Sequence, residues 1–594
     1  MDVGSPAPGA SLRALPLARA TEAALLLTIV LVVFGSSGIP VLVDVGSSGR
    51  WAALVAFTAL ACAWAVDEQA SGWDAFRVMW PAMLLSGLAL ASTAWSVDRS
   101  TALLHALAFA CLVLGAAAAG AATRGRADRA ERLALVVVAS AALVCLAGAL
   151  AYAVDPTNTV TEPSVGTGFR FNGLGGNANT VPMLAAVGLV LAGWLGLAAT
   201  GRARRLYAGA IVVFGAEIVA SGSRGALLAA PVGLALLAVG GPFPLRRRAV
   251  LLAGVVALAA ALVVGNRIVQ RETAKPIPPP PASTQSRRLP MLALPPLTEE
   301  LGPQYVRSRV LIGSDGRALA IQEAFEQGRP RAAYGWGFGT ETRVFEERSS
   351  VFESAKPEDS YASLFLELGA AGLALYLVSG LFVAAALVVA RRRDDRTRLA
   401  VSGAAATVAA GFALAIGQSY VYAAGNVATL SVWLASALAA ALAFLPGERR
   451  PGSLRYVLAG GVALALLGIP VGLVEASHAR HEANAGVMAV WRGVGSRLAA
   501  PTLDGFRLDP PRRCLLYRAG GSIAGYELCF DGGNAVEAID RRNGGFQAWT
   551  VRPFGPGAAA LRVGPAAVDA QLRRLGAFGP GILSGPGYLA RRLP

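Results

Sequence analysis

Long apolar blocks alternate with short polar connections over most of the 594-residue chain. Many blocks approach the roughly 20 residues that a helix needs to cross the hydrocarbon layer of a membrane. Every backbone amide inside lipid must be paired within its own segment, so the blocks predict helices rather than strands. Thirteen spans are predicted, at residues 23–43, 51–66, 78–95, 101–122, 133–154, 181–199, 206–220, 226–239, 249–264, 361–389, 399–416, 427–444 and 457–474.

Two of these spans, 206–220 and 226–239, are shorter than the usual minimum of about 17 residues. They form either two crossings or one re-entrant pair, and both arrangements leave the other connections on the same sides. The pattern therefore predicts an all-α polytopic bundle of 11–13 transmembrane helices. A composition that is 55% hydrophobic and 15% charged, with the apolar residues in blocks, excludes a soluble core.

The basic residues predict the orientation of the bundle. With the N-terminus in the cytoplasm, five strongly basic connections fall on the cytoplasmic side, as the positive-inside rule requires. They are RGRADRAER, GRARR, LRRR, RRRDDRTR and GERRPGSLR, after the fourth, sixth, eighth, tenth and twelfth spans. The formal charge of +16 is thus a topology signal and does not indicate a nucleic-acid partner. No clear cleavage site follows the first apolar run, so this run is predicted to be a retained span.

The spans divide the chain into five parts. A cytoplasmic N-terminus at 1–22 precedes nine helices at 23–265, an extracytoplasmic loop at 266–359, four helices at 360–475 and an extracytoplasmic tail at 476–594. The loop opens with the proline-rich KPIPPPPASTQ, which is typical of extended chain. SDGRALAIQEAFEQG then predicts an amphipathic helix with Ala318, Ile321, Ala324 and Phe325 on one face, and YGWGFGT predicts a glycine-rich turn.

The tail contains two strand-like pieces, RCLLYRA and GYELCF, that predict a hairpin-like unit. Cys514 and Cys529 flank this unit and could form a disulfide on an oxidising face, with a stabilisation of about 3 kcal/mol for a loop of this size. Two free thiols are the alternative. No cysteine spacing in the chain resembles a metal site.

Four isolated arginines are predicted on the outer face. Arg50 and Arg99 are interpreted as side chains that reach the membrane interface. Arg170 lies in a glycine- and asparagine-rich loop that can present backbone amides to an anion. Arg224 lies between two apolar segments, where it either forms a salt bridge with Glu217 or clamps a phosphate.

Several segments, taken in order, resemble the O-antigen ligase and polymerase superfamily of bacterial envelope glycan enzymes. They are STAWSVDRS, RFNGLGGNAN before a span, SGSRGALLA between two spans, DGRALAIQEAF with YGWGFGT, and SYASLFLELGAAGLALYL. The resemblance covers residues 95–376.

This resemblance implies a GT-C-like fold and a metal-independent glycosyltransferase without a cofactor. Such an enzyme moves a glycan from an undecaprenyl-diphosphate carrier to a glycan, lipid or protein acceptor at the outer face of the cytoplasmic membrane. No Asp-x-Asp motif occurs in the outer loops, so arginines would stabilise the diphosphate leaving group. The residues that match this role are Arg170, Arg224 and Arg317, with Arg307 and Arg309 as further candidates.

The sequence departs from the family pattern at Glu358 and Asp359, where family ligases carry a His-Asn pair. Either carboxylate could accept a proton from the acceptor hydroxyl. Alternatively, both could cap the helix that begins near Tyr361. Glu367 is interpreted as a supporting carboxylate paired with an arginine, because a buried carboxylate is costly inside a membrane.

Other functions fit parts of this pattern. The chain could polymerise lipid-linked repeat units, or it could be a polysaccharide or lipid transporter of the flippase type. A transporter predicts an internal repeat, and none is evident in the sequence. A membrane scaffold that displays the C-terminal tail is a third possibility.

Overall fold

The structure is a computed structural model of the chain. It describes residues 11–154, 156–161, 168–273, 315–345, 357–445, 512–519, 525–531, 535–540, 547–551 and 588–592. The predicted span 457–474 and the two candidate arginines Arg307 and Arg309 lie outside these ranges.

Helices dominate the described residues. They are α1 Ser11–Gly35, α2 Pro40–Asp67, α3 Gly72–Ala91, α4 Arg99–Ala122, α5 Ala127–Val154, α6 Thr180–Ala198, α7 Gly201–Ser221, α8 Arg224–Gly240, α9 Leu245–Thr273, α10 Asp315–Gly328, α11 Glu341–Val344, α12 Ser360–Ala390, α13 Asp395–Ala415 and α14 Thr429–Phe444. Within the described ranges, nine helices are long and apolar enough to cross a membrane: α1–α6, α9, α12 and α13. The chain is a multi-pass membrane protein.

Two boundaries differ from the sequence prediction. The predicted first span 23–43 is wrong at its end, because α1 stops at Gly35 and α2 starts at Pro40. Proline is favoured in the first turn of a helix, where its missing amide is not needed. The predicted outer loop also starts too early at 266, because α9 continues to Thr273.

The two short predicted spans, 206–220 and 226–239, are continuous helices. The first, α7, has 21 residues because it includes the basic segment from Gly201, and α8 has 17 residues. At a rise of 1.5 Å per residue these helices are about 32 Å and about 26 Å long. The glycine Gly222, at φ +66, separates them in a left-handed conformation.

The chain divides into two compact units. The first contains Met1–Gly87, Leu107–Ser314 and Ala374–Ile469, and the second contains Leu88–Ala106, Asp315–Leu373 and Pro470–Pro594. Inside the first unit, α6 and α13 are central. Of the most apolar stretch of each helix, 78% is buried in α6 and 83% in α13, but only 6% in α9. The exposed apolar surface of α9 fits a helix that faces lipid.

Small residues allow the central helices to approach closely. A Cβ at Gly403 of α13 would collide with the Trp194 ring of α6. A Cβ at Gly233 of α8 would lie 2.6 Å from Val190 Cγ2 and 2.9 Å from Ala406 O. Close packing at glycine is a common source of helix association in membranes, where the lipid is as apolar as the helices.

Two antiparallel sheets complete the described residues. β1 Val160–Thr161 pairs with β2 Arg170–Phe171 in the first unit. In the second unit, β3 Arg512–Ala519, β4 Gly525–Asp531, β5 Ala535–Asp540, β6 Gln547–Val551 and β7 Tyr588–Arg592 form a sheet of order β6-β5-β4-β3-β7. The predicted hairpin is confirmed as β3 and β4, and its register sets Cys514 opposite Cys529. The disulfide between them stays a prediction.

Ion pairs join several helix ends at one end of the first unit. Arg129 Nη2 lies 2.7 Å from Glu68 Oε1, and Arg124 Nη1 lies 3.5 Å from Asp74 Oδ2. Other pairs are Arg132 with Glu22 and Arg396 with Glu131. These residues belong to α1, α2, α3, α5, α13 and the turn after α4, whose ends are predicted to face the cytoplasm. The orientation itself stays a prediction of the positive-inside rule.

We expect Arg129→Ala to lower the free energy of unfolding by about 3 kcal/mol, because it leaves a buried carboxylate without its counter-charge. The side chains of Arg129 and Glu68 are only 12% and 5% exposed. Arg126→Ala is the matched control, since its pair with Asp128 is 53% and 42% exposed and such pairs contribute about 0–1 kcal/mol. Thermal unfolding of the detergent-solubilised variants measures both, and equal losses would contradict the assignment of the Arg129 pair as a structural anchor.

Candidate functional site

The loop before α6 is shaped by a short hairpin and a glycine turn. Asn172 N donates to Thr159 O at 2.8 Å, next to the β1–β2 pairs, and Gly175 N donates to Asn172 O at 2.9 Å. Gly173 has φ +58, and its α-carbon packs against α5, where a Cβ at Gly148 would lie 3.0 Å away. The loop therefore folds tightly against the end of the bundle.

Arg170, in β2, ties this loop to the end of α7. Its Nε donates to Ser221 O at 3.0 Å, and its Nη2 donates to the side-chain oxygen Oδ1 of Asn179 at 3.0 Å. Ser221 is the last residue of α7, so its carbonyl has no amide of the next helical turn to accept from. A cation at this position also complements the partial negative charge of the helix C-terminus.

Arg224 lies three residues after Ser221 and is the first residue of α8. Its side chain is exposed. Since Ser223 is the N-cap residue, Arg224 stands where the unsatisfied backbone amides of α8 begin. The structure thus brings two of the three predicted arginines to one turn of the first unit, around Ser221.

The C-terminal part of α9 hydrogen-bonds to the loop before α6 and to the end of α7. Gln270 Oε1 accepts from Gly168 N at 3.0 Å, Gln270 Nε2 donates to Phe169 O at 2.9 Å, and Thr273 Oγ1 accepts from Phe169 N at 2.7 Å. Asn266 Nδ2 donates to Val219 O at 3.1 Å. The predicted ninth span ends at 264, so the sequence did not indicate that these residues belong to the helix and bind the loop. The polar spacing of Asn266, Gln270 and Thr273, at three and four residues, is the signal of one helix face.

Glu217 is a buried carboxylate of α7, one turn before Ser221, with 5% of its surface exposed. Within the described residues its Oε1 accepts no hydrogen bond. Gly173 covers this oxygen, since a Cβ there would lie 3.6 Å from it. A larger residue at Gly173 would be both strained by the positive φ and close to the carboxylate.

In the second unit, the predicted glycine turn YGWGFGT wraps around the segment after α3. Gly335, Gly337 and Gly339 have φ +70, +116 and +73. Side chains at Gly337 and Gly339 would collide with Ser96 and with the His105 ring. The glycines are needed for conformation and for space, and His105 Nδ1 lies 3.2 Å from Gly339 O.

Aromatic and polar contacts fix this turn. Trp95 Nε1 donates to Tyr334 O at 3.2 Å, and the two rings meet edge to face at 5.8 Å. Arg331 stacks on the Trp336 ring, with its Cζ 4.3 Å from the ring centroid, and donates from Nη1 to Trp95 O at 3.1 Å. These contacts join the segments STAWSVDRS and YGWGFGT in the fold.

The helix α12 is interrupted at Gly369, and the chain around this break hydrogen-bonds to the glycine turn and to the two residues before it. Gly369 has φ +65 and ψ −161, which interrupts the helix inside the LELGAAG segment. Ala370 N and Ala371 N then donate to Ala332 O at 2.6 Å and Ala333 O at 3.3 Å. The carbonyls of Leu366 and Glu367 accept from Trp336 N and Gly337 N. The break exchanges helical hydrogen bonds for bonds to the turn.

The predicted carboxylates occupy the start and first half of α12. Asp359 Oδ1 accepts from Ala362 N at 2.8 Å, so the cap interpretation is confirmed for Asp359. Glu358 is half-buried and has the uncommon φ of +50. Glu367 is fully buried, and its Oε1 accepts from Glu341 N at 3.2 Å.

The remaining predicted residues lie in α10 or outside the described ranges. Arg317 is in the first turn of α10, which the sequence predicted as a helix. The buried face of α10 contains Ala320 and Ala324, whereas Phe325 is 38% exposed and packs against Phe365 at 5.0 Å. Of the residues predicted to share one face, Ala324 is buried and Ile321 packs against the same cluster, whereas Phe325 is partly exposed.

No protein-family model and no curated protein matches the chain. Within the described ranges, no three His, Cys, Asp or Glu side chains come together as metal ligands would.

We expect Glu217→Gln to leave the thermal stability unchanged or to raise it, because an uncompensated buried carboxyl group is costly in a membrane. Glu68→Gln is the matched control. Glu68 is equally buried, at 4%, but it neutralises Arg129, so its substitution lowers the melting temperature. A larger loss for Glu217→Gln than for Glu68→Gln, measured by thermal unfolding in detergent, would show that Glu217 is a structural anchor.

We expect Gly339→Ala to disrupt the glycine turn, because alanine at φ +73 is strained and its Cβ collides with His105. Gly254→Ala is the control, since a Cβ at Gly254 meets nothing within 4 Å and alanine favours a helix by about 1 kcal/mol. Limited proteolysis of the purified variants measures whether the turn is disrupted. A proteolysis pattern of Gly339→Ala identical to that of the unsubstituted protein would refute the packing of the turn on His105.

Proposed function

We propose that the protein transfers a glycan from an undecaprenyl-diphosphate carrier to an acceptor hydroxyl at the outer face of a bacterial cytoplasmic membrane. The observation that carries the proposal is that the Arg170 guanidinium binds the chain at Ser221, close in sequence to Arg224. Arg170 donates to Ser221 O at 3.0 Å, three residues before Arg224 begins α8. The order of the motifs, which resembles that of O-antigen ligases and polymerases, supports the same reaction.

The reaction needs a positive charge where the diphosphate leaves. The bond between the anomeric carbon and the phosphate oxygen breaks, and the electron pair departs with the diphosphate. Guanidinium groups match phosphate oxygens and stay charged at all relevant pH values. Arg170 is held in place by hydrogen bonds to Ser221 O and Asn179 Oδ1. Arg317 is proposed as a third arginine with this role.

The reaction also needs a group that accepts the proton of the acceptor hydroxyl. Glu358 is the better of the two predicted candidates, because Asp359 uses Oδ1 to cap α12. Glu358 has φ +50, and residues in such sparsely populated conformations cluster at functional sites. Glu217, buried beneath Gly173, and Glu367, which accepts from Glu341 N, are proposed as supporting residues.

We expect Arg224→Ala to lower glycan transfer by about 10²-fold, which is typical for the loss of one group that stabilises developing charge. The protein should still insert and unfold at its usual temperature, since Arg224 is exposed. Arg202→Ala, at the other end of α7 and equally exposed, is the matched control and should retain transfer. Surface glycan and lipid-linked glycan are measured in cells in which each variant replaces the native protein.

The same assay separates the possible outcomes. Accumulated carrier-bound chains would indicate a ligase, and single repeat units at the surface would indicate a polymerase. Arg170→Ala should also lose transfer, but its bonds to α7 predict an additional loss of stability, so Arg224 is the cleaner probe. Normal surface and carrier-bound glycan in both variants would refute the proposed function.

A further inference from the structure

A second group of arginines lies at the opposite end of α8, where the α8–α9 turn meets the start of α13. A Cβ at Gly240, the last residue of α8, would lie 3.1 Å from Ser402 Oγ. Ser402 Oγ donates to Arg398 O at 2.8 Å, one turn earlier in α13. Arg248 Nη2 donates to Gly241 O at 3.3 Å. Arg248 and Arg398 therefore belong to the two sides of one helix contact, Arg248 through its side chain and Arg398 through its position one turn before Ser402.

Neither of these two arginines has an acidic partner in the part of the chain that the structure describes. Both are half-buried, and the Nε of each is shielded from solvent without a hydrogen-bond acceptor among those residues. The sequence has no Asp or Glu between Arg224 and Arg271. On α13, Asp394 caps the helix by accepting from Thr397 N at 3.0 Å, and Asp395 is exposed.

Three other arginines nearby have their own contacts, and one of them has an acidic partner. Arg396 forms an ion pair of 2.6 Å with Glu131, and Arg393 donates to Ala443 O at 3.0 Å. Arg247 covers the Phe243 ring, with its Cζ 4.7 Å from the ring centroid. Half-buried guanidinium groups without a counter-charge are costly, and an external anion would offset that cost.

The surface beside these arginines is apolar and exposed, which indicates that the anion carries acyl chains. Leu245, Val250 and Val256 of α9 are 80%, 70% and 69% exposed. A free inorganic anion gains nothing from such an apolar surface, whereas acyl chains cover it. Basic pockets between transmembrane helices are a known way in which proteins bind lipid headgroups.

We propose that Arg248 and Arg398 bind the phosphate of an anionic phospholipid, whose acyl chains lie along the exposed face of α9. The guanidinium groups bind the phosphate oxygens from α9 and α13, so the lipid links these two helices at the end of the bundle. This site is independent of the proposed glycan transfer.

Lipid-dependent stability of the purified full-length chain tests the proposal. We expect phosphatidylglycerol, added to protein in neutral detergent, to raise Tm by about 3 °C or more, and phosphatidylcholine to have no such effect. The double variant Arg248→Gln, Arg398→Gln should lose the response. The double variant Arg202→Gln, Arg205→Gln removes the same charge from an exposed segment at the start of α7 and should keep it.

Three results would overturn the proposal. If the unsubstituted protein does not respond to phosphatidylglycerol, there is no site. If the control double variant loses the response equally, the effect is diffuse attraction between charges. If inorganic phosphate at the same concentration reproduces the shift, the site binds small anions and no lipid. Should the first double variant fail to fold, each single variant is measured, together with retained phosphatidylglycerol by native mass spectrometry, and unchanged retention in both would equally refute the site.

Discussion

A backbone amide or carbonyl in hydrocarbon must be hydrogen-bonded, and this constraint shapes the whole chain. It explains why the apolar blocks within the described ranges are helices, and it requires new hydrogen-bond partners wherever such a helix ends. The end of α7 shows the solution in the first unit. The carbonyl of Ser221 accepts from Arg170, the carbonyl of Val219 accepts from Asn266, and Gly222 turns the chain into α8. Polar side chains gather there because the backbone requires partners.

The same rule explains the break in α12. When Gly369 adopts a positive φ, the amides of Ala370 and Ala371 lose their helical acceptors and use the carbonyls of Ala332 and Ala333. The glycine turn that follows these two residues is held by Trp95 and Ser92. Three sequence motifs that are far apart in the chain are thus one hydrogen-bonded structure in the second unit.

The sequence predicted what depends on local pattern. The apolar blocks gave the helices, alternation of basic connections gave a consistent topology, and YGWGFGT gave a turn whose glycines all have positive φ. It did not predict what depends on partners distant in the chain. The helix α9 continues to Thr273, where Gln270 and Thr273 hydrogen-bond to the loop before α6. Hydropathy alone set the predicted boundary, and it carries no information about these bonds. On α10, Ala320 and Ala324 are buried in one cluster with Ala362 and Leu366, and the periodicity within α10 could indicate a shared apolar face but not these partners.

Partner chemistry, more than position, distinguishes the arginines from one another. Sequence position assigned Arg129 and Arg170 equally to connections between helices. In the structure Arg129 faces a buried carboxylate at 2.7 Å, which neutralises it and makes it an anchor. Arg170 instead donates to a backbone carbonyl and to a side-chain amide oxygen, and these bonds join the loop before α6 to the end of α7. The same type of side chain therefore neutralises a buried carboxylate in one place and satisfies the carbonyl of a helix end in the other, because its several N–H donors suit both kinds of acceptor.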